Sequence, residues 1–268
     1  MLNGFYGLSY NPFDKEAAPQ QPSFQSNDFR EMSTRLNFIK DVRGIGLFTA
    51  PPGFGKTFAL RCFANTLNPN LYQMAYICLT TVSVTEFYRQ FCAALNLDAS
   101  FHKSTMFRAI QERLFILFKE KRRPFILAVD EAHDLDARAL KDIKMIMNHN
   151  YDSLNCFTLL LIGEPHFNDT LSKPVHEALS QRITIHYNFN GLSADETPQY
   201  IIHKISAAGG CASILADGAA SAVHGFSNGN PRIIDNVMSD ALVIGEQIGK
   251  KVIDTDVILS AVENQSFL

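Results

Sequence analysis

Five short apolar runs, Ile45 to Thr49, Ala75 to Leu79, Phe125 to Val129, Thr158 to Ile162 and Ile183 to Phe189, are separated by longer stretches with helical spacing. Such runs suit strands buried on both faces, and strands that alternate with helices imply a parallel sheet covered on both sides. An α/β core is therefore expected. One intervening pattern starts at Ser104, read as an N-cap, and places Met106, Phe107, Ile110, Leu114, Leu117 and Phe118 on one helical face. A further helix is expected near 28–40. Beyond Gly191 the strand-like runs stop and alanine becomes frequent, with helices expected near 194–208, 214–224, 231–248 and 254–264. Residues 1–190 are read as the core with an N-terminal lead-in, and 191–268 as a small helical second domain. The lead-in, 1–26, holds Pro, Gln and Ser but also Phe5, Tyr6, Phe13 and Phe24, so it is expected to lie on the domain as an ordered segment.

Composition narrows the class. Apolar residues make up 46% of the chain and charged ones 19%, which excludes a disordered or acidic-tail protein. The net charge of −3 means that any nucleic-acid contact must come from a local basic stripe. Five cysteines without a CxxC pair argue against a disulfide framework or a zinc ribbon and fit a reducing compartment. The first twenty residues lack the features of a signal peptide, and no run reaches the roughly 18 apolar residues that span a bilayer. A soluble, cytoplasmic protein without a membrane partner is expected.

The chemistry begins at Ala50-Pro51-Pro52-Gly53-Phe54-Gly55-Lys56-Thr57, after the first strand and before the helical stretch FALRCFANTL. A phosphate loop needs amides that curl around phosphate, a lysine that reaches the β and γ phosphates, and a hydroxyl on Mg2+. Gly53, Gly55, Lys56 and Thr57 supply these in order. Ala50 stands where the pattern has its first glycine. The ATP-binding stretch is taken as Pro52, Gly53, Phe54, Gly55, Lys56, Thr57 and Phe58. Downstream, Phe125-Ile126-Leu127-Ala128-Val129 ends in Asp130-Glu131. Asp130 is placed to orient the Mg2+ shell together with Thr57, and Glu131 to polarise a water for attack on the γ-phosphate. Asp130-Glu131-Ala132-His133 also spells a helicase box, but such helicases need two such domains and one phosphate loop is present. Arg182 precedes the last core strand, where a neighbouring subunit's nucleotide is in reach, and Arg232 begins a helix after the turn Gly229-Asn230-Pro231. A planar, permanently charged guanidinium suits phosphate oxygens at both positions.

Together with the phosphate loop and Val129-Asp130-Glu131-Ala132, four further stretches carry a family likeness. They are Phe5-Tyr6-Gly7-Leu8 with Asn11-Pro12-Phe13, Ile162-Gly163-Glu164-Pro165, Gln181-Arg182-Ile183 and Gly229-Asn230-Pro231-Arg232. In this set the chain resembles the ExeA/GspA-type AAA+ ATPases, a group similar to the transposition ATPases TnsC, TniB and MuB. The resemblance spans nearly the whole chain. It implies a P-loop core with a parallel sheet in the order 5-1-4-3-2, a helical lid, Arg182 as arginine finger and Arg232 as the lid's sensor arginine. At the usual sensor position after the fourth strand this chain has Gly163-Glu164, and an ionised Glu near γ-phosphate is repelled unless a water or Arg intervenes. That sensor is left unassigned. Secretion members of the group also carry a membrane segment and a cell-wall-binding extension; these 268 residues hold neither, so a stand-alone ATPase is expected.

The resemblance also implies duplex DNA as partner, gripped near the helix that starts at Lys103, Ser104 and Thr105. Those three are preferred over the basic cluster Lys119, Lys121, Arg122 and Arg123, which also complements a helix C-terminus. The leading expectation is an ATP-dependent homo-oligomeric switch, ring or helical filament, that binds DNA and recruits or regulates a transposase. The rival is a secretion-type ATPase that remodels a protein assembly without DNA. A nucleotide-binding module without turnover is a third class, disfavoured because binding alone does not need Glu131.

Overall fold

A computed structural model describes residues 2–14, 23–149 and 154–265. The middle of the expected lead-in, 15–22, lies outside the described residues. In chain order the helices before the sheet are α1 (Leu2–Tyr6) and α2 (Asn27–Val42). Those interleaved with it are α3 (Lys56–Thr66), α4 (Val84–Ala94), α5 (Lys103–Phe115), α6 (Ala137–Ile146), α7 (His166–Leu171) and α8 (Glu177–Ser180). The strands are β1 (Gly44–Thr49), β2 (Gln73–Ile77), β3 (Phe125–Val129), β4 (Phe157–Gly163) and β5 (Ile183–Asn188). The chain divides into two compact units. One comprises 31–52 and 56–189; the other comprises 1–30, 53–55 and 190–268.

The first unit is the expected α/β core. Its strands are all parallel in the order β2-β3-β4-β1-β5, which is the expected 5-1-4-3-2 read from the other edge. β1, β3 and β4 are buried along their whole length, as continuous apolar runs require. β2 lies two residues earlier than the expected Ala75 to Leu79. The pairing fixes this: Gln73 aligns with Phe125 and Ile77 with Val129, so the ladder ends with β3 and Leu79 stands outside it, 55% exposed. α5 begins at Lys103 after an extended His102, without a side-chain cap, one residue before the expected N-cap Ser104. It continues as a π turn at Ile116–Glu120, where the Lys121 amide donates to the Ile116 carbonyl at 3.0 Å. That wider turn keeps Leu117 buried on the same face as Ile110 and Leu114.

The second unit is helical, with α9 (Glu196–Ala207), α10 (Ala219–Ser227), α11 (Pro231–Gln247) and α12 (Thr255–Gln265). The sequence reading grouped the lead-in with the core; its described part packs instead on these helices. Tyr6 Oη donates to the Lys250 carbonyl at 3.2 Å, Tyr10 Oη to the Ala207 carbonyl at 3.1 Å, and Asn11 Nδ2 to Ser239 Oγ at 2.8 Å. The physical reason is that Tyr6, Leu8 and Phe13 join the same buried cluster as Ile201, Ile205 and Val237. The Asp28 carboxylate accepts the amides of Asn190 at 3.0 Å and Gly191 at 2.8 Å.

Inside this unit Lys204 is 7% exposed and its Nζ lies 2.8 Å from Asp235 Oδ1, while Tyr200 Oη donates to the same carboxylate at 3.0 Å. Burial pushes the Asp235 carboxyl up, and Lys204 only partly opposes this. Removing the cation alone is expected to be costly: Lys204→Met should destabilise the protein by about 1–3 kcal/mol at pH 7, because a carboxylate only 24% exposed loses its cation and keeps the Tyr200 hydroxyl as donor. A carboxyl whose folded pKa is raised carries that penalty only above its unfolded pKa of about 4. The deficit should therefore be smaller at pH 5 than at pH 7. Urea melts of both proteins at the two pH values measure it, and an equal deficit at both would assign the loss to packing.

Candidate active site

The loop after β1 makes its turns with two glycines in left-handed conformation, Gly53 at φ +89° and Gly55 at φ +88°. Side chains rarely adopt that geometry. At Gly53 space is a second reason. A Cβ there would lie 2.5 Å from Asn230 Oδ1 and 2.9 Å from Arg232 Cβ, so the loop is pressed against the start of α11. Asn230 caps that helix by accepting the Arg232 amide at 3.0 Å, and Arg232 itself is exposed on the first turn. The Phe54 ring lies against the backbone of Gly191.

Lys56 opens α3 and is 7% exposed. Its ammonium donates to the carbonyls of Ala50 at 2.5 Å and Pro51 at 3.2 Å, folding back along its own loop. Thr57 Oγ1 donates to Asp130 Oδ2 at 2.8 Å, joining the end of the phosphate loop to the end of β3. Sequence reasoning placed these two together through Mg2+, and the structure brings them into contact. It did not foresee Tyr76, whose Oη donates to the same Asp130 Oδ2 at 2.7 Å. Burial first, then that hydrogen bond, hold the Tyr76 hydroxyl above its ordinary pKa, so it remains a donor. The other oxygen, Oδ1, accepts the Glu131 amide at 3.0 Å. Asp130 is thus fixed from three directions. The donors that converge here, a hydroxyl and a carboxylate, suit a hard cation such as Mg2+.

Glu131 sits in left-handed backbone conformation at φ +51°, unusual for a non-glycine residue and a form of strain that concentrates at functional sites. Its carboxylate is about half exposed, with Oε2 3.4 Å from His133 Nδ1. Glu164, at the unassigned sensor position, donates its amide to His133 Nδ1 at 3.3 Å. A polar group that the sequence did not signal joins β1, β5 and α7: Asn168 Nδ2 donates to Thr49 Oγ1 at 3.1 Å and to Asn188 Oδ1 at 3.1 Å. Phe58 packs under the Arg61 guanidinium, 5.4 Å from ring centre, and Pro52 is exposed. Arg182 is half-buried on the turn before β5, where its amide closes α8 on the Leu179 carbonyl at 3.0 Å.

Lys103, Ser104 and Thr105 are all exposed on the first turn of α5, but Lys103 has a second engagement. Its Nζ lies 2.5 Å from Asp142 Oδ2, a carboxylate 5% exposed, and 5.6 Å from the Tyr88 ring centre. Among the described residues no helix is long and apolar enough to cross a membrane.

Comparison with known proteins agrees with this geometry. The AAA domain family matches residues 39–171. The chain is 28% identical over 267 residues to General secretion pathway protein A of Aeromonas hydrophila, covering 98% of this chain and 48% of the relative, so it spans about half of that protein's length. Two of the solved structures that share the fold illustrate it. ORC2 of Aeropyrum pernix, solved as ADPNP and ADP complexes, matches with a TM-score of 0.66 at 12% identity over 95% of this chain and 71% of its own. ORC1 of Aeropyrum pernix in complex with DNA matches with a TM-score of 0.61 at 15% identity over 91% of this chain and 66% of its own. The chain has the AAA+ P-loop fold that these structures share, and it is similar to General secretion pathway protein A.

Tyr76 gives a test of how Asp130 is held. Tyr76→Phe removes one hydroxyl from a residue that is 47% exposed, so the melting temperature should barely move. Loss of an outer-shell partner should raise the Mg2+ concentration needed for half-maximal nucleotide binding about 10-fold. A magnesium titration with a fluorescent ATP analogue measures it, and an unchanged midpoint would make the Tyr76 contact incidental.

Proposed function

We propose that the chain is a magnesium-dependent ATP hydrolase that works as a nucleotide-controlled oligomeric switch. The observation that carries this reading is the 2.8 Å bond between Thr57 and Asp130, with Glu131 next in sequence. In the proposed reaction Pro52 to Phe58 wrap the phosphates, and Lys56 exchanges the Ala50 and Pro51 carbonyls for phosphate oxygens. Thr57 and Asp130 would hold Mg2+, which when bound shields phosphate charge. Glu131 takes a proton from the attacking water onto its carboxylate as the water's oxygen bonds to the γ-phosphorus, while the bond from that phosphorus to the β,γ-bridging oxygen breaks and its electron pair leaves on ADP. Arg232 is assigned to the phosphates, and Arg182 to the developing charge on a neighbouring subunit's nucleotide, a role worth about 10³ to 10⁵ in rate.

Lys56→Ala should abolish tight nucleotide binding, whereas Glu131→Gln should bind ATP normally and turn over at least about 100-fold more slowly, since an amide cannot accept the proton. Arg182→Ala should be slow alone but recover hydrolysis when mixed with Lys56→Ala, because each supplies what the other lacks. Phosphate release with light scattering checks all three; wild-type turnover by Glu131→Gln would overturn its role.

For the work that the switch performs, a role on a protein assembly of the secretion type has the stronger support, since General secretion pathway protein A aligns with 98% of this chain. A second reading, ATP-dependent binding to duplex DNA, is supported by the fold shared with an ORC1 solved on DNA, while service to a transposase rests on the sequence resemblance alone. On this chain Lys103, Ser104 and Thr105 remain the proposed contacts, although Lys103 must then trade its pair with Asp142 for phosphate. Fluorescence anisotropy with labelled duplex and a non-hydrolysable ATP analogue separates the readings. Salt-sensitive binding lost in Lys103→Ala is the outcome expected for a DNA switch. Absence of binding with any nucleotide leaves the protein-assembly role.

A further inference from the structure

Next to Glu131 lies a cluster that the hydrolysis mechanism does not use. His133, on the turn Ala132–Asp134 that follows β3, meets Glu164 and His166 at the junction of β4 and α7. One ligand-type atom from each lies within 4.8 Å of the others. The two imidazoles stand edge to face with centroids 4.7 Å apart, and His166 Nδ1 is 3.5 Å from Glu164 Oε2. Gly163 permits the approach: a Cβ there would already lie 3.4 Å from both the His133 amide nitrogen and Nδ1.

Two imidazoles and one carboxylate form a donor set that hard Mg2+ disfavours and that borderline cations favour, with metal–nitrogen bonds of about 2.0–2.1 Å. A tetrahedral shell of that radius spaces its ligand atoms about 3.3 Å apart. His166 is 56% and Glu164 34% exposed at the side chain, so rotamer changes in these two can close the remaining gap on a His133 that is only 10% exposed. The surroundings favour a cation as well: Glu131 Oε2 lies 3.4 Å and Asp134 Oδ1 3.8 Å from the His133 ring nitrogens.

We propose that His133, Glu164 and His166 form a binding site for a transition-metal cation of the Zn2+ class, separate from the magnesium of the nucleotide. A cation held there attracts the Glu131 carboxylate and competes with its task as base, so occupancy slows hydrolysis. That consequence rests on the proposed role of Glu131; the binding itself does not.

Co2+ is the probe, added to the nucleotide-free full chain in excess Mg2+. The expected result is one Co2+ per chain with the strong visible absorption of a low-coordinate, nitrogen-bearing site, displaced by Zn2+. His166→Ala, at an exposed side chain, and Glu164→Gln, at a partly exposed one, should each weaken uptake by about 100-fold or more, since even outer-shell partners are worth 10- to 100-fold. Asp130→Asn should leave uptake unchanged. No uptake by the wild type, uptake that survives both His166→Ala and Glu164→Gln, or uptake lost in Asp130→Asn overturns the site. Circular dichroism confirms that each variant folds. In phosphate-release assays Zn2+ should slow the wild type and not His166→Ala; equal inhibition of both would overturn the link to Glu131 while the Co2+ titration judges the site on its own.

Discussion

Every group in the core's candidate site is placed by one constraint: the five strands run parallel, so their C-terminal ends share one edge. Parallel neighbours cannot be joined by tight turns, and each crossover must pass through a helix-bearing segment. The loops that leave the strands therefore gather on the same edge, which is where ligands bind in sheets of this kind. β1 ends at Thr49 opposite Gly163 of β4, and the amide of Ala50 donates to the Gly163 carbonyl at 3.1 Å. β3 ends on the other side of β4, with the Asp130 amide on the Ile77 carbonyl at 2.8 Å. The bond from Thr57 to Asp130 then joins two strands that are not themselves neighbours.

What the sequence made legible follows from that arrangement. Strand existence was readable because β1, β3 and β4 are almost wholly apolar, with only Thr49 and Thr158 polar, and Asp130 stood out as a carboxylate directly after such a run. The end of β2 was not readable. Gln73, Met74 and Ala75 are half-buried, Tyr76 is exposed and Ile77 is buried, so hydrophobicity does not mark the boundary, and the pairing with β3 decides it. Tyr76 was missed for the same reason: a tyrosine in an edge strand reads as ordinary surface until the register places its hydroxyl on Asp130. The second engagement of Lys103 was hidden because Asp142 is one acid on an amphipathic helix, and only packing buries it under α5. The lead-in showed its aromatic anchors plainly, but nothing in their spacing named the surface they would meet.

The polar contacts inside the site have an energetic consequence. Lys56 is a buried cation already solvated by two carbonyls, and Asp130 is a buried carboxylate with both oxygens occupied. Neither group carries the cost of burial without partners. On the proposed reading ATP and Mg2+ would replace existing bonds, and binding would gain only the difference between the new contacts and the old. For Lys56 that difference would be large, since neutral carbonyls would give way to anionic phosphate and charge-assisted bonds are about twice as strong. For Asp130 it would be smaller, because its carboxylate already accepts from the Tyr76 hydroxyl and the Glu131 amide.

Glu164 is the residue that the AAA+ fold makes hardest to account for. It follows Gly163, whose carbonyl accepts the Ala50 amide at 3.1 Å, so on the proposed reading its charge would lie close to bound phosphate. Carboxylate and phosphate repel, and the repulsion is strongest where water is excluded. The structure directs this side chain toward His166, whose Nδ1 lies 3.5 Å from Oε2, and ties its backbone amide to His133, so the negative charge faces the His166 imidazole. A neutral sensor residue needs no such shielding. The carboxylate is tolerable at this position because the His166 imidazole stands beside it, and that ring, with His133 and Glu164 itself, makes up the proposed cation site.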